Sequence, residues 1–287
     1  MTGGREILKE ISLFVLDMDG TFYLGDRRLD GALEFIHAVE AAGKKFLFFT
    51  NNSSKSPEDY IRKLEKMDCR ISRDQIVTSG DVTIRYLKEC YGGKTVYLMG
   101  TKALEASFRQ AGIRLLPTDG EAAREEQPDV VVIGFDTELT YEKLERACTF
   151  IRNGAVFLAT HLDINCPVEG GFIPDCGAMC AAIALSTGVQ PKYLGKPFKE
   201  TVDMVLEHTG TEKEAVAFVG DRIYTDVATG VNNGAKGFLV LTGETKAEDV
   251  EKSSVKPDAV FESLGERLSV SLHKLIIGRG DLTCRNF

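Results

Sequence analysis

Short apolar runs alternate with longer amphipathic segments along most of the chain. The apolar runs predict strands, at 13–17, 45–52, 94–100, 129–136, 155–160, 215–221 and 237–243. Segments with apolar residues at helical spacing predict helices, at 31–44, 56–68, 81–91, 101–112, 140–152, 176–187, 198–209 and 222–233. Ser56 and Pro57 mark one helix start, as the N-cap and the first helical residue. Because strands that alternate with helices pair in parallel through right-handed crossovers, the pattern predicts an α/β fold with a doubly wound parallel sheet.

The composition is that of a globular protein with an excess of acidic residues. The 287 residues are 43% hydrophobic and 27% charged, and this length accommodates one large or two modest domains. The formal net charge of −8 argues against nucleic acid and against anionic membrane surfaces as main partners. No apolar run approaches the roughly 20 residues of a membrane span, and the polar N-terminus shows no secretory signal. Seven irregularly spaced cysteines favour reduced thiols, so we expect a cytoplasmic protein.

Acids and hydrogen-bonding side chains follow three of the predicted strands. These residues are Asp17, Asp19, Thr50, Asn51, Asp221 and Asp226, with Lys196 supplied by a Gly-Lys-Pro sequence before a helix. Ligands of open parallel sheets gather beyond the carboxyl ends of the strands. We therefore expect these side chains to meet at one edge of the sheet, where so many acids repel one another unless a cation is present.

A hard cation such as Mg²⁺ would relieve this repulsion, because it takes oxygen ligands and commonly bridges to a substrate phosphate. Thr50, the main-chain amides beside Asn51, and Lys196 have the donors that phosphate oxygens need. A carboxylate such as Asp17 is then able to attack phosphorus, and the second carboxylate, Asp19, is able to transfer protons. The residue types predict a Mg²⁺ site that binds a small phosphorylated molecule.

Two alternatives explain the first acidic motif, DMDGT, without phosphoryl chemistry. A calcium-binding EF-hand loop that begins at Asp17 would need glycine at its sixth position and glutamate at its twelfth, where this chain has Phe22 and Arg28. A strand end with capping aspartates would account for this motif alone. It does not account for the three further motifs that follow in order along the chain.

The sequences DMDGT, TNNSS, GKP and GDRIYTD together resemble the four motifs of the haloacid dehalogenase superfamily phosphatases. The resemblance extends over most of the chain, from residue 11 to residue 265. It implies that Asp17 is the nucleophile and Asp19 the general acid and base. It also implies that Thr50, Asn51 and Lys196 hold the transferring phosphoryl group.

The same resemblance implies a metal site and an activity. Mg²⁺ would be bound by Asp17, by the main-chain carbonyl of Asp19 and by Asp221, with Asp226 supporting the metal. The implied activity is hydrolysis of small phosphomonoesters through an aspartyl phosphate. For the type IIA group, which the motif spacing identifies below, the resemblance implies sugar phosphates, phosphoglycolate, pyridoxal phosphate or nucleoside monophosphates as substrates.

The spacing of the motifs identifies a subgroup. Only about 30 residues separate Asp17 from Thr50, but roughly 150 separate Thr50 from Lys196, far more than one crossover needs. We therefore expect a Rossmann-like core at 1–81 and 189–270, an inserted α/β cap at 82–188, and a tail at 271–287 to which no role is assigned. A large cap in this place resembles the type IIA group, which includes 4-nitrophenylphosphatase-like enzymes. Family analogy also predicts a homo-oligomer formed through the cap.

The predicted cap departs from the family pattern where substrate choice would be made. Relatives usually have the sequences TNxD and PGxG, and this chain has THLD and PDCG in their place. We expect His161, Asp163 and Asp175 to face the leaving group of the substrate, and Tyr224 to line the same mouth. The alternative is that the first three cap turns within the cap, and that Tyr224 is an ordinary exposed helix residue.

Two other functions stay open from the sequence. A phosphotransferase or mutase would use the same motifs but pass the aspartyl phosphate to a sugar hydroxyl instead of water. A non-catalytic binding protein on this fold should have lost a nucleophile or metal residue, whereas this chain keeps Asp17, Asp19, Lys196 and Asp221. The function predicted is therefore that of a Mg²⁺-dependent phosphatase acting on a small phosphorylated metabolite.

Overall fold

The computed structural model describes residues 3–118, 126–168 and 170–265. The strands in these ranges are β1 (Leu13–Leu16), β2 (Tyr23–Leu24), β3 (Arg27–Arg28), β4 (Lys45–Thr50), β5 (Ile76–Thr78), β6 (Thr95–Met99), β7 (Arg114–Leu115), β8 (Val130–Ile133), β9 (Val156–Ala159), β10 (Asn165–Val168), β11 (Gly171–Pro174), β12 (Lys192–Tyr193), β13 (Val216–Gly220), β14 (Lys236–Val240) and β15 (Ala259–Phe261). The helices are α1 (Gly3–Glu10), α2 (Ala32–Ala41), α3 (Pro57–Glu65), α4 (Ser79–Cys90), α5 (Lys102–Gln110), α6 (Tyr141–Arg152), α7 (Cys176–Thr187), α8 (Lys199–Thr209), α9 (Ala228–Asn233) and α10 (Ala247–Lys252). The predicted tail at 271–287 lies outside the described residues.

A six-stranded sheet has the strand order β15-β14-β13-β1-β4-β5. β1 pairs in parallel with both β13 and β4, and β14 pairs in parallel with β13 and β15. Every residue of β1 and β13 is buried, which explains why both strands are unbroken apolar runs. Because parallel strands share a carboxyl edge, the chain leaves β1 and β13 on the same side of the sheet.

A second sheet has five strands in the order β12-β9-β8-β6-β7, and its pairs are all parallel. Its core is an apolar cluster that includes Tyr97, Val131 and Phe157 from the strands, and Phe150 and Ile183 from helices α6 and α7. Two antiparallel hairpins, β2–β3 and β10–β11, lie outside the two sheets. The predicted fold class, α/β with parallel sheets, is confirmed by this topology.

The chain divides into two compact units, each with one of the parallel sheets. Within the described residues the first unit comprises 3–49, 61–77 and 205–265, and the second comprises 50–60 and 78–204 apart from the gaps given above. The second unit thus contains the predicted cap at 82–188 and also neighbouring segments that the sequence assigned to the core. The functional division into core and cap stays a prediction.

None of the described helices is both long enough and apolar enough to cross a membrane.

The segment after β13 differs from the single helix predicted at 222–233. It begins with a π-helical turn, Ile223–Val227, and only then continues as α9. The wider turn places the side chain of Asp226 so that its Oδ2 atom accepts a 3.0 Å hydrogen bond from the amide of Arg222. The local unwinding therefore occurs at a predicted metal residue, as is common for such turns.

Candidate active site

Three carboxylates meet at the carboxyl edge of the six-stranded sheet, within the first unit. Asp17 follows β1, Asp221 follows β13, and Asp226 lies in the π-helical turn; one oxygen of each lies within 4.8 Å of the others. Asp221 and Asp226 are buried, and Asp17 is half-buried. Like charges at this separation disfavour one another unless a cation lies among them. The structure thus brings together three of the residues predicted to bind metal.

A tight turn carries the chain from β1 to the first hairpin. The main-chain oxygen of Met18 accepts hydrogen bonds from the amides of Phe22 (2.9 Å) and Tyr23 (3.1 Å), and the amide of Gly20 donates to the oxygen of Tyr23 at 2.7 Å. Gly20 has a φ of +86°, which a residue with a Cβ atom rarely adopts. The turn leaves Asp19 half-buried on the same segment as Asp17, with its main chain bridged to Tyr23.

A loop after β14, residues 242–245, closes around Asp221. The amide of Glu244 donates to Asp221 Oδ2 at 2.7 Å, and the amide of Thr245 donates to the Asp221 main-chain oxygen at 3.2 Å. The hydroxyl of Thr242 donates to the main-chain oxygen of Gly20 at 2.6 Å, which ties the loop to the turn after β1. Sequence reasoning missed this loop. Its position directly after a predicted strand, at the edge where ligands gather, was the signal available.

Three glycines make room for the clustered carboxylates. A Cβ atom on Gly243 would overlap Asp221 Oδ2, and one on Gly220 would overlap the carboxyl group of Asp226. A Cβ atom on Gly20 would lie 2.6 Å from Asp221 Oδ2. The carboxylates therefore pack directly against main chain, which fixes their positions closely.

The residues of this cluster fit a hard divalent cation. Carboxylates and main-chain oxygens are the ligands that such cations prefer, and the close-packed glycines leave the carboxyl groups directed at one another. The cluster could therefore hold a metal ion by its donor chemistry as well as by its charge.

Asn51 and Lys196 form a reciprocal pair in the second unit. The amide of Lys196 donates to Asn51 Oδ1 at 2.8 Å, and Asn51 Nδ2 donates to the main-chain oxygen of Lys196 at 3.2 Å. Asn51 Nδ2 also lies 3.3 Å from each carboxylate oxygen of Asp163. Lys196 is only 3% exposed. Thr50, the last residue of β4, directly precedes Asn51 in the chain and is also buried. The side chain of Asn51 thus fixes the main chain of the predicted phosphate-binding lysine.

The three residues predicted to face the leaving group, His161, Asp163 and Asp175, are buried and lie close together. His161 Nε2 lies 2.9 Å from Asp175 Oδ1, and one ligand atom each of His161, Asp163 and Asp175 lies within 4.8 Å of the others. Asp175 is the N-cap of α7, and its Oδ1 atom accepts from the amide of Cys176 at 2.6 Å. Asp175 thus caps a helix, as the alternative interpretation of this residue predicted. A role of these residues in substrate choice stays a prediction.

The surroundings of His161 favour its charged form. Burial lowers the pKa of His161, but the Cys176 sulfur and the carboxylates of Asp175 and Asp163 together raise it to about 9. Burial likewise raises the pKa of Cys176, and hydrogen bonding by Cys180 together with the charge of His161 reverses this effect and lowers it to about 7. The interior of the second unit therefore holds a concentrated group of interacting polar residues.

Tyr224 lies in the π-helical turn of the first unit and is 47% exposed. Its hydroxyl donates to Glu244 Oε1 at 2.7 Å, and Arg222 Nε lies 2.9 Å from Glu244 Oε2. Glu244 thus links Tyr224 to the loop that holds Asp221 through its main chain. The predicted contact of Tyr224 with substrate stays a prediction.

The chain matches known proteins over nearly its full length. Residues 14–114 match the family of haloacid dehalogenase-like hydrolases, and residues 193–267 match a second family, described as HAD-hydrolase-like. An acid sugar phosphatase of Staphylococcus aureus strain MRSA252 is 37% identical over 262 residues, which is 91% of this chain and 98% of that protein.

Solved structures agree with the sequence matches. A 4-nitrophenylphosphatase from Thermotoga maritima superposes with a TM-score of 0.86 at 46% identity, and covers 93% of this chain and 99% of its own. A putative nagD protein superposes with a TM-score of 0.82 at 42% identity, and covers 92% of this chain and 98% of its own. The predicted resemblance is therefore confirmed, and the chain belongs to the haloacid dehalogenase-like hydrolase family.

Proposed function

We propose that the protein is a Mg²⁺-dependent phosphatase that hydrolyses small phosphomonoesters through an aspartyl phosphate on Asp17. The cluster of Asp17, Asp221 and Asp226 at the carboxyl edge of the sheet carries this proposal. It is supported by relatives named as an acid sugar phosphatase and a 4-nitrophenylphosphatase, which match this chain over more than nine-tenths of its length.

The proposed metal ligands are Asp17, the main-chain carbonyl of Asp19, and Asp221, with Asp226 beside them. Bound Mg²⁺ would supply positive charge against the phosphoryl oxygens and the clustered carboxylates. The Glu244 amide, 2.7 Å from Asp221 Oδ2, fixes the orientation of that carboxylate. The chain itself therefore prepares the geometry of the cluster.

The proposed reaction has two displacements at phosphorus. A carboxylate oxygen of Asp17 attacks phosphorus while the bond to the leaving oxygen breaks, and Asp19 gives its proton to that oxygen. Asp19 then takes a proton from water, whose oxygen attacks phosphorus and releases inorganic phosphate from Asp17. Thr50, the amides beside Asn51, and Lys196 are proposed to hold the phosphoryl oxygens, since charge-assisted donors bind them most strongly.

Sugar phosphates are the substrate class we favour, because the curated relatives at 37% identity are named acid sugar phosphatases. Residues 82–188 are proposed to act as the specificity cap, with His161, Asp163, Asp175 and Tyr224 as candidate contacts. A phosphotransferase or mutase would use the same aspartyl phosphate and differ only in the acceptor.

A phosphate-release screen tests the reaction class. The panel comprises sugar phosphates, phosphoglycolate, nucleoside monophosphates, pyridoxal phosphate and 4-nitrophenyl phosphate, each with Mg²⁺ and without an added acceptor. We expect inorganic phosphate from several of these, with sugar phosphates turned over most efficiently. Release that requires an added sugar acceptor would identify a transferase, and no release from any compound would refute the proposal.

Replacing the nucleophile tests the mechanism. Asp17→Asn should lower kcat on the order of 10³-fold or more, because the amide is a poor nucleophile and the steps that follow act as a unit. Asp68→Asn is the matched control, since Asp68 belongs to the same unit and its side chain is 84% exposed. The control should keep wild-type kcat, and near-normal turnover by Asp17→Asn would contradict the assignment.

A further inference from the structure

A buried ion pair joins His161 to Asp175, the N-cap of α7, within the second unit. His161 is fully buried and Asp175 nearly so, and His161 Nε2 lies 2.9 Å from Asp175 Oδ1. Asp163 lies beside the pair, with one ligand atom of each of the three residues within 4.8 Å of the others. A charge buried at one of these positions without the other would be strongly unfavourable.

The contacts of His161 assign a donor role to Nε2, whereas Nδ1 faces two hydroxyl groups. Nε2 faces the carboxylate of Asp175, and Nδ1 lies 2.9 Å from Thr160 Oγ1 and 3.4 Å from Ser79 Oγ. Ser79 gives its hydroxyl proton to the main-chain oxygen of Asn51, so it presents only a lone pair to the ring. The Ser79 lone pair accepts from a protonated Nδ1, and the raised pKa of His161 favours the same charged form.

The same bonds lead from His161 to Asn51. Ser79 contacts the ring on one side and holds the main chain of Asn51 on the other. Asp163, two residues beyond His161, lies 3.3 Å from the side-chain nitrogen of Asn51 through both carboxylate oxygens. Asn51 is thus held at its main chain by Ser79, which contacts the His161 ring, and at its side chain by Asp163.

The segment at Gly195 and Lys196 packs onto the same residues. The amide of Gly195 donates to the main-chain oxygen of Thr160 at 2.8 Å, and the amide of Lys196 donates to Asn51 Oδ1 at 2.8 Å. A Cβ atom on Gly195 would lie 2.7 Å from Asn51 Oδ1 and 3.0 Å from His161 Cβ. A shift of the His161 segment would therefore displace the main chain of Lys196.

We propose that His161 and Asp175 form a positioning pair, which fixes Asn51 and Lys196 in the arrangement that binds the phosphoryl group. The role of Lys196 in this inference rests on the proposed function. The contacts between the pair and the two segments are independent of that function. The pair reaches Asn51 and Lys196 through the bonds of Ser79, Thr160 and Asp163.

Three variants test the pair: His161→Asn, Asp175→Asn and the double variant. Each single change leaves the remaining charged partner buried, so we expect kcat/KM for 4-nitrophenyl phosphate and the affinity for inorganic phosphate to fall about 10- to 100-fold. The double variant should lose much less than the product of the two single effects, because the pair acts as a unit.

Asp136→Asn is the matched control for a general loss of stability. Asp136 is buried in the same unit, its Oδ2 atom lies 2.8 Å from Lys143 Nζ, and its described contacts do not include Asn51 or Lys196. It should lower the melting temperature without changing kcat/KM or phosphate affinity. Equal kinetic losses in Asp136→Asn and His161→Asn at equal loss of melting temperature would overturn the positioning role.

Hydrogen exchange separates this inference from the proposed function. Peptides that cover residues 50–53 and 194–198 should exchange faster in His161→Asn than in wild type and Asp136→Asn, whether or not the protein hydrolyses phosphomonoesters. Unchanged exchange in both peptides would overturn the inference. A stoichiometric metal ion in the purified wild type that is lost in His161→Asn would also overturn it, because the histidine would then be a metal ligand. An inactive wild type with the expected exchange would refute only the proposed function.

Discussion

Main-chain atoms of neighbouring loops pack closely against the carboxyl group of Asp221. The Glu244 amide donates to its carboxylate, and the glycines at 20 and 243 leave the space that the carboxyl group occupies. Glycine has no Cβ atom, and a Cβ atom at either position would crowd the carboxyl group of Asp221. We therefore expect substitutions of these glycines to disturb the carboxylate cluster as substitutions of its acids would.

Gly243→Ala should impair the cluster without removing any charge. Its Cβ atom would overlap Asp221 Oδ2, so the loop or the carboxylate must move, at a cost of about 1–3 kcal/mol in the free energy of unfolding. We expect kcat/KM to fall by about tenfold or more, measured with 4-nitrophenyl phosphate and Mg²⁺. In Gly92→Ala the new Cβ atom meets the main-chain oxygen of Lys88 at 3.2 Å, and this control should keep wild-type activity.

At the scale of elements, Asp129 joins two strands of the second sheet. It directly precedes β8, and its Oδ2 atom accepts from the amide and the hydroxyl of Thr95, the first residue of β6, at 2.9 and 3.0 Å. Lys94 Nζ lies 3.0 Å from the other oxygen. The Thr95 amide, the Lys94 ammonium and the Thr95 hydroxyl lower the pKa of Asp129 to about 2.

Asp129→Asn should destabilise the protein in a pH-dependent way. The folded-state pKa lies below the ordinary value of 3.8, so the charged form stabilises the fold above about pH 4, and this contribution is lost as the pH falls toward 2. Urea unfolding at pH 6, 4 and 3 should show the difference between wild type and Asp129→Asn narrow below pH 4. A constant difference over this range would contradict the role of the ionised carboxylate.

Most of the longer periodic segments were predicted, whereas helices α1 and α10 and the irregular segments were not. Helix α3 begins at Pro57 as predicted, because Ser56 Oγ accepts from the amide of Asp59 in a local cap. The π-helical turn was not predicted, and the amide of its first residue, Ile223, donates to Thr245 Oγ1, which lies 22 residues along the chain. Strands of two or three residues, such as β12, are too short to carry a periodic signal.

The candidate site shows the same division. Asp17, Asp221 and Asp226 were predicted because acids after strands are informative at the sequence level. The reciprocal bonds of Asn51 with Lys196 could not be predicted, because they join positions far apart in the chain through side-chain and main-chain atoms. Acidic and basic residue types show which groups take part, whereas the fold decides which amides hold them in place.

At the scale of the whole molecule, binding of a metal ion should raise the free energy of unfolding. A ligand that binds only the folded state at about 100 times its Kd adds about 2.7 kcal/mol to the free energy of unfolding. We therefore expect Mg²⁺ to raise the melting temperature of the wild type by on the order of 5 °C. Sodium chloride at equal ionic strength should not do so.

Replacing a carboxylate of the cluster tests whether Mg²⁺ raises the melting temperature by binding at the proposed site. Asp221→Asn should abolish most of the rise in melting temperature with Mg²⁺, since Asp221 is buried at the centre of the cluster. Asp68→Asn, on the exposed surface of the same unit, should retain the full rise. An equal rise in wild type and Asp221→Asn would place Mg²⁺ elsewhere on the protein.

The central strand of the six-stranded sheet has a consequence for biosynthesis. β1 is made first, but one of its two neighbours, β13, follows roughly 200 residues later, and the chain between them must be closed into a loop before the strands pair. β4, the other neighbour, is available early. On the ribosome, Asp17 is therefore made long before Asp221 and Asp226 can join it. A chain whose synthesis stops before β13 carries the proposed nucleophile, Asp17, but neither Asp221 nor Asp226. We therefore expect partly made protein not to hydrolyse phosphate esters.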